Sequence, residues 1–292
     1  MSRATLRDVL EPAREGGYAV AGLVVLGWED ARTYVDAAEA ENCPLILQAG
    51  PGFRRHMPLE IISAMFNHLA DGAGIPVVTH LDHSTSAREC RVALDNGFTS
   101  VMFDGSRLAL NRNIESTAEI VEMAREFNAS VEGEVGFVGY AEGEPGRVTD
   151  PVDAGRFARE TGIDAMAISV GNVHLQTSKA AIIDLEAIRA IEAETQVPLV
   201  LHGGSGIAPD MRRALARETN VCKFNIGTEL RMAFGTGLRA ALADDPDVHD
   251  RIELMRRIEP SIRAQARRIL HGLRADRGEL DAAAPGGGAR EH

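Results

Sequence analysis

The sequence contains few cysteines, and their spacing excludes a disulfide framework. Cys43, Cys90 and Cys222 lie far apart within apolar segments, and no CxxC pair occurs among the 292 residues. This pattern indicates reduced, buried thiols rather than a redox or metal motif. We assign no catalytic role to any of the three.

Long apolar runs are also missing. No segment approaches the roughly 20 apolar residues of a membrane-spanning helix. Charged side chains occur throughout residues 1–20, so the sequence shows no secretory signal there. We therefore expect a cytoplasmic protein with no membrane partner.

Positive charge is scarce. The 31 Lys and Arg residues stand against 43 Asp and Glu residues, which gives a formal charge of −12 and argues against a nucleic-acid partner. Only Lys179 and Lys223 are lysines, which limits the candidates for a Schiff base. A phosphorylated substrate is compatible with this charge, because backbone N–H groups and helix N-termini bind phosphate without surplus basic side chains.

Eight short apolar runs alternate with amphipathic segments. Runs rich in Val, Ile and Leu are typical of parallel strands buried on both faces, and eight strand–helix units predict an α/β fold, the (β/α)₈ TIM barrel. The alternative is a doubly wound open sheet, but no GxGxxG follows the first run. The runs are 18–26, 44–48, 76–81, 100–103, 130–135, 165–170, 198–201 and 221–226.

Helical patterns separate these runs and continue beyond the last one. Residues 59–70, 114–127, 150–161 and 185–194 are predicted helices, and 229–243 and 249–274 are predicted helices extra to the barrel. We expect one domain over residues 1–275. The remaining 276–292, rich in Ala and Gly, are expected to be a disordered tail.

Histidines follow three of the predicted strands. In barrels the active site lies at the C-terminal ends of the strands, and His83, His174 and His202 follow the third, sixth and seventh strands. Three imidazoles that converge suit a borderline metal such as Zn²⁺ and leave a coordination position open for substrate. For His80, which shares strand parity with Asp82, we favour a structural role.

Five blocks of sequence carry a family resemblance. They are HLDH (80–83), GFTSVMFDGS (97–106), VEGEVG (131–136), LHGGSG (201–206) and CKFNIGTEL (222–230). From about residue 10 to about residue 235 the chain resembles the class II, metal-dependent fructose-bisphosphate and tagatose-bisphosphate aldolases. The resemblance implies reversible cleavage of a ketose (bis)phosphate to dihydroxyacetone phosphate and an aldehyde, through a metal-stabilised enediolate.

The resemblance also implies roles for the residues around the metal. His83, His174 and His202 would hold Zn²⁺ or another divalent metal, and Glu134 would be a nearby carboxylate, either structural or a transient ligand. Asp82 would move the proton of the hydroxyl beside the scissile C–C bond; the alternative is that it orients a histidine.

A glycine-rich stretch after the fifth strand resembles the mobile loop of the family. Its acidic residue takes a proton from the bound ketone, and the register assigns that role to Glu142. The loop departs from the usual GG-x-E-D-D pattern, because Tyr140 replaces a Gly and Gly143 replaces an Asp. Glu144 is therefore an alternative base, and both glutamates could instead be solvated residues of a hairpin tip.

The resemblance places the phosphate of dihydroxyacetone phosphate against two glycine-containing segments, often with a monovalent cation nearby. Gly residues permit a close approach of the backbone, Ser205 adds a hydroxyl, and the second segment opens the helix after the eighth strand. The residues are Gly203, Gly204, Ser205 and Gly206 in the first segment and Asn225, Gly227 and Thr228 in the second.

Three departures from the family concern the substrate pocket. Leu175 replaces the Gly that usually follows the second metal histidine, apolar residues including Val24 replace polar ones on the first strand, and Gly50 replaces a Ser after the second strand. The C-terminal Gly-Ser segment survives only loosely at 271–274. We therefore expect the far phosphate site to be altered and the aldehyde to differ from glyceraldehyde 3-phosphate, being unphosphorylated or more apolar.

Other interpretations remain open. A Schiff-base aldolase would use Lys223, and a non-catalytic barrel would bind a sugar phosphate without turnover. A metal-dependent hydrolase would need histidines on the first strand, and 18–27 contains none. The resemblance further implies a homodimer or homotetramer.

Overall fold

Eight parallel strands form a closed barrel in the computed structural model, which describes residues 3–274. Each strand pairs with its sequence neighbour, and the first pairs with the eighth. The prediction of a (β/α)₈ barrel is confirmed. The strands are β1 (Val20–Val24), β2 (Leu45–Ala49), β3 (Val77–Ser84), β4 (Ser100–Phe103), β5 (Ser130–Val135), β6 (Ala165–Ile168), β7 (Leu199–Leu201) and β8 (Val221–Ile226).

Helices surround the barrel and close its N-terminal end. In chain order they are α1 (Leu6–Gly16), α2 (Trp28–Glu41), α3 (Pro51–His56), α4 (Leu59–Gly72), α5 (Ala87–Asp95), α6 (Leu110–Arg125), α7 (Pro151–Thr161), α8 (Leu185–Glu194), α9 (Pro209–Glu218), α10 (Thr228–Asp244) and α11 (Arg251–Leu273). None of those within residues 3–274 is long and apolar enough to cross a membrane.

The first helix covers the bottom of the barrel. Thr5 and Asp8 form a reciprocal capping box that starts α1, and buried side chains of this helix, such as Leu10, belong to the same apolar cluster as Val78 and Met102 from the strands. Apolar packing therefore fills the N-terminal end and leaves the polar groups to the other end.

Strand alternation directs the polar groups into the barrel. Successive side chains of a strand point to opposite faces, so His80 and Asp82 share the inner face of β3, and Glu132 and Glu134 share that of β5. All four are buried.

The third strand is longer than predicted. The apolar run stops at Leu81, yet β3 continues to Ser84 with a register shift against β4, and His83 has a φ of 51°. The guanidinium of Arg54 donates to the carbonyl oxygens of Asp82 (2.5 Å) and His83 (3.2 Å) and so fixes this end of the strand. The polar residues of the site ended the apolar pattern without ending the strand.

Two helices follow the eighth strand, one more than the (β/α)₈ repeat needs, so the barrel has extra C-terminal helical structure as predicted. Helix α11 packs against α2, α9 and α10. The single domain over 1–275 stays a prediction, and the tail 276–292 lies outside the described residues.

Candidate active site

The three histidines converge at the C-terminal end of the barrel. Their ring centroids are 4.5 Å apart for His83 and His202, 5.1 Å for His83 and His174, and 5.5 Å for His174 and His202. One ring nitrogen from each lies within 4.8 Å of the others, which is close enough for a single metal ion.

Two carboxylates, one half-buried and one fully buried, orient two of the three rings. Nδ1 of His83 donates to Asp104 at 2.9 Å, and Nε2 of His202 donates to Glu132 at 3.0 Å. Such carboxylate–histidine contacts fix the tautomer and direct the other nitrogen at a metal. Those other atoms, Nε2 of His83 and Nδ1 of His202, are buried without a hydrogen-bond partner.

Glu134 contributes a third buried atom without a hydrogen-bond partner. Its Oε1 accepts the backbone N–H of Val138 at 3.1 Å, whereas its buried Oε2 has no hydrogen-bond partner. This Oε2 lies 3.9 Å from Nδ1 of His202. Burial raises the pKa of Glu134 to about 8, together with the negative charge of Asp104. Unpaired buried polar atoms are rare and costly, so these residues fit a divalent cation.

The electrostatics favour positive charge at the centre. Burial lowers the pKa of His83, but the charge of Asp82 and the hydrogen bond to Asp104 outweigh it and raise that pKa to about 10. Burial and the neighbouring charge of His83 lower the pKa of His174 to about 3 and hold the pKa of His202 well below its usual value. The latter two imidazoles are therefore neutral at neutral pH, which is the form of histidine that can bind a metal.

Asp82 lies beside the histidines with one oxygen anchored. Its Oδ1 accepts the side-chain amides of Gln48 at 3.1 Å and Asn225 at 3.2 Å. Its Oδ2 faces Gly50, where a Cβ would lie 3.5 Å away. The carboxylate is thus held by its inner oxygen, and Asp82 lines the cavity above the histidines.

Lys223 is part of a buried network below the histidines. Its Nζ donates to Glu132 at 2.5 Å and lies 3.5 Å from Nε2 of His80, whose Nδ1 contacts Ser100 Oγ at 2.8 Å. Glu132 is the centre of this network, because its carboxylate accepts hydrogen bonds from both Lys223 and His202. Lys223 is fully buried and does not line the cavity, and this geometry disfavours the Schiff-base interpretation.

The loop after β5 folds back over the site. Tyr140 stacks on His174, with ring centroids 5.0 Å apart and planes at 28°. Glu144 forms an ion pair with Arg107 at 2.6 Å. Glu142 is exposed and forms no ion pair with any residue in 3–274, and it does not line the cavity.

A cavity of about 320 Å³ opens above the histidines. Its wall includes most of the predicted phosphate residues, whereas Gly204 is buried and does not line the cavity. Gly203 has a φ of 66°, and a Cβ there would lie 2.1 Å from the carbonyl oxygen of Val173, so only glycine fits. The predicted residues in the wall are Asp82, His83, His174, Gly203, Ser205, Asn225, Gly227 and Thr228.

The segment 203–206, which was predicted to bind phosphate, is hydrogen-bonded to neighbouring elements. Ser205 Oγ accepts the backbone N–H of Glu229 at 3.1 Å, in the first turn of α10. The ammonium of Lys179 donates to the carbonyl of Ser205 at 2.7 Å and pairs with Glu229 at 2.7 Å. A positive side chain therefore stands beside this segment.

Two arginines line the cavity on the side of β1 and β2. Arg55 follows β2 on α3, and Arg231 lies on the first turn of α10 beside Gly227. Neither forms an ion pair with another residue of the described part of the chain. These arginines were not predicted from the sequence, because their proximity depends on the closure of β8 against β1.

Comparisons with known proteins decide the family. The sequence model of the family described as fructose-bisphosphate aldolase class-II matches residues 4–277. The chain belongs to the class II fructose-bisphosphate aldolase family. It is therefore an aldolase, a lyase that makes or breaks a carbon–carbon bond.

Relatives of this aldolase carry two different names. It is 36% identical over 261 residues to the fructose-bisphosphate aldolase of Geobacillus stearothermophilus, and the alignment covers 86% of this chain and 89% of that protein. It is 37% identical over 250 residues to the 6-phospho-5-dehydro-2-deoxy-D-gluconate aldolase of Shouchella clausii, with 84% and 85% covered. The crystal structure of the YdjI aldolase from Escherichia coli K12 superposes with a TM-score of 0.81 at 28% identity, covering 95% of this chain and 99% of that one.

Several site residues were missed from the sequence although a signal existed for some. Asp104 directly follows β4 within a quoted family block, and a polar residue at a C-terminal strand end is the signal that finds it. Glu132 shares strand parity with Glu134. Gln48 likewise shares strand parity with Ile46, which packs with Val78 inside the barrel. For Tyr140 no periodicity indicates the contact.

Proposed function

We propose that this aldolase is metal-dependent and splits a ketose 1-phosphate into dihydroxyacetone phosphate and an aldehyde. One observation carries the proposal: His83, His174 and His202 converge beside the cavity that Asp82 lines, and buried atoms of His83, His202 and the neighbouring Glu134 have no hydrogen-bond partner. A donor set of imidazoles with a carboxylate suits Zn²⁺ best among the common divalent metals.

The chemistry divides between the cation and two carboxylates. A divalent cation held by these residues supplies a Lewis acid for the ketone oxygen. Asp82 has the position for the oxygen-bound proton, because its Oδ1 is anchored by two amides and its Oδ2 remains for the substrate hydroxyl. In the cleavage direction a second carboxyl group must then deliver a proton to the enediolate carbon, and in the reverse direction the same carboxylate takes that proton from the ketone, as the predicted enediolate mechanism requires.

The loop geometry supports Glu142 as this second carboxylate. Glu144 is paired with Arg107, whereas Glu142 has no such partner among residues 3–274. The loop that carries both is docked on His174 through Tyr140. Glu142 is outside the cavity wall, so the proposal includes an inward movement of the loop tip when substrate binds.

The near phosphate would bind to backbone donors rather than to a cluster of cations. The 3₁₀ turn at Gly204–Gly206 and the N-terminus of α10 at Thr228 meet at the cavity, and helix N-termini favour anions. A monovalent cation nearby stays a prediction. The ammonium of Lys179 already places a positive charge at the Ser205 carbonyl, which reduces the need for such a cation. Equal rates in sodium, potassium and tetramethylammonium salts would show that none is needed.

The far end of the substrate would face Arg55 and Arg231. Two guanidinium groups without ion-pair partners favour an anionic group, either a phosphate or a carboxylate. The names of the two relatives describe these two cases, a bisphosphate and a phosphorylated gluconate derivative. The prediction of an unphosphorylated aldehyde is therefore best met by one that carries a carboxylate.

Steady-state cleavage rates test the substrate proposal. Ketose 1-phosphates of equal chain length that end in a phosphate, a carboxylate or a hydroxyl would be compared in the wild type and in Arg231→Met. We expect the carboxylate substrate to give the highest kcat/KM, and the variant to lose activity on charged substrates only. Much faster cleavage of fructose 1,6-bisphosphate than of every other substrate would contradict the unphosphorylated aldehyde.

The remaining predictions concern the alternative functions, the oligomeric state and the location of the protein. Borohydride with substrate should not trap this aldolase, because Lys223 is buried and paired with Glu132. Turnover in any of the assays above would exclude a purely sugar-phosphate-binding barrel. A homodimer or homotetramer and a cytoplasmic location stay predictions, which sedimentation and cell fractionation would test.

A further inference from the structure

The ring of His174 is held differently from the other two. His83 and His202 each donate to a carboxylate, Asp104 or Glu132. The ring of His174 forms no hydrogen bond with any other residue in the described range. Its one close partner on the loop is the ring of Tyr140, stacked at 5.0 Å and 28°.

Backbone hydrogen bonds fix Tyr140 in this position. The N–H of His174 donates to the carbonyl of Gly139 at 2.8 Å, and the N–H of Ala141 donates to the carbonyl of His174 at 3.0 Å. Residue 140 is thus bridged to residue 174 like a neighbour in a parallel sheet. The stack is therefore set by the docking of the loop backbone.

The loop is itself folded tightly behind the tyrosine. The N–H of Tyr140 donates to the carbonyl of Glu144 at 3.1 Å. A Cβ on Gly139 would lie 2.3 Å from the backbone nitrogen of Gly146, so the two arms of the loop are in contact. Moving the loop away would separate Tyr140 from His174 and shift Glu142 at the same time.

We propose that Tyr140 is a positioning residue that holds the ring of His174 for the metal, in place of the carboxylate partners that the other two histidines have. The inference rests on the proposed metal-dependent function. Offset aromatic stacking restricts ring rotation, and a ligand that is oriented beforehand binds metal more tightly. Metal affinity thereby becomes coupled to the docking of the loop that carries Glu142.

The test uses three variants at one position and a control on the same loop. Tyr140→Phe keeps the ring, Tyr140→Leu keeps apolar bulk, and Tyr140→Gly removes the side chain. Val148→Gly alters an exposed residue that does not touch the histidines. Zn²⁺ affinity would be measured by chelator competition, and the visible absorption spectrum of the Co²⁺-loaded protein would report ligand geometry. Thermal unfolding would confirm that each variant is folded.

We expect Tyr140→Phe and Val148→Gly to bind Zn²⁺ within about twofold of the wild type. Tyr140→Gly and Tyr140→Leu should bind it about 2- to 12-fold more weakly, the effect expected from loss of one aromatic stack, with altered Co²⁺ bands. Unchanged affinity and spectrum in Tyr140→Gly, beside a wild type that binds Zn²⁺, would overturn this inference alone. Weakened binding in Tyr140→Phe would do the same, since the hydroxyl would then be the active group. A wild type that binds no Zn²⁺ would overturn the proposed function and this inference with it.

Discussion

Replacing Asp82 by Asn separates proton transfer from folding and metal binding. Asn has the same shape, and its side-chain oxygen can still accept the amides of Gln48 and Asn225, now 3.1 and 3.2 Å from Oδ1. Hydrogen bonds to a charged acceptor are each stronger than neutral ones by about 1 kcal/mol. Because removing a buried charge offsets part of that loss, we expect the free energy of unfolding to change by no more than about 2 kcal/mol.

The catalytic effect should be much larger. A positioned acid–base group contributes about 10²- to 10⁴-fold to the rate, which corresponds to about 2.7–5.4 kcal/mol of activation free energy. We therefore expect kcat of Asp82→Asn to fall by that factor at saturating Zn²⁺, while KM changes only a few-fold. An NADH-coupled assay of dihydroxyacetone phosphate release measures both constants.

Asp104→Asn is the matched control. It makes the same chemical change one strand away, but Asp104 acts through His83 and should affect metal affinity. Excess Zn²⁺ should therefore restore Asp104→Asn and leave Asp82→Asn inactive. If excess Zn²⁺ also restored Asp82→Asn, or if its kcat stayed within tenfold of the wild type, Asp82 would only orient a metal ligand.

Three further predictions concern stability, each measured by urea unfolding. Leu175 has a φ of 59° and is 55% exposed. Left-handed backbone costs a non-glycine residue about 1–2 kcal/mol, and glycine loses about 0.4–1 kcal/mol because its unfolded chain is more flexible. Leu175→Gly should therefore gain about 0–1.6 kcal/mol in the free energy of unfolding, and a clear loss would refute this. Lys223→Met leaves the buried charge of Glu132 without its cation and should lower the free energy of unfolding by about 3–5 kcal/mol. The double variant Lys223→Met/Glu132→Gln should regain most of that loss. An equally unstable double variant would contradict the pairing. Burial raises the pKa of Asp30 from 3.8 to about 6, although the hydrogen bond from Leu26 opposes the shift. The folded protein therefore loses up to about 3 kcal/mol of stability as pH rises from about 4 to about 6. Asp30→Asn should remove this pH dependence and be the more stable protein at pH 7 but not at pH 4, and an unchanged dependence would count against the prediction.

The barrel followed from the sequence because its strands are buried on both faces. The predicted runs 100–103, 130–135 and 221–226 coincide with β4, β5 and β8, and the helix at 185–194 coincides with α8. The first strand is shorter than its run, since β1 spans only Val20–Val24. Periodicity detects burial, and in this fold burial and strand pairing largely coincide.

The histidines could also be placed, because each lies at or after the C-terminal end of a strand, and these ends meet at one side of a barrel. The structure brings His83, His174 and His202 together as that reasoning predicted. Which ring nitrogen faces the centre could not be predicted. That choice depends on Asp104 and Glu132, whose contacts cross between neighbouring and distant strands.

The residues in the outer part of the site could not be predicted from the sequence, for a different reason. Tyr140 reaches His174 through backbone pairing of two loops, which leaves no period in either segment. Arg231 reaches the cavity because α10 starts where β8 closes against β1. Apolar replacements such as Val24 were visible in the sequence, but the arginines that stand beside them in space were not.

Metal removal and restoration tests the central claim most directly. The aldolase would be stripped with a chelator, assayed for cleavage of a ketose 1-phosphate, and titrated with Zn²⁺ while bound metal is counted. We expect activity to disappear and to return in proportion to one Zn²⁺ per chain, and not to return in His202→Ala. Undiminished turnover by the metal-free protein would contradict the account.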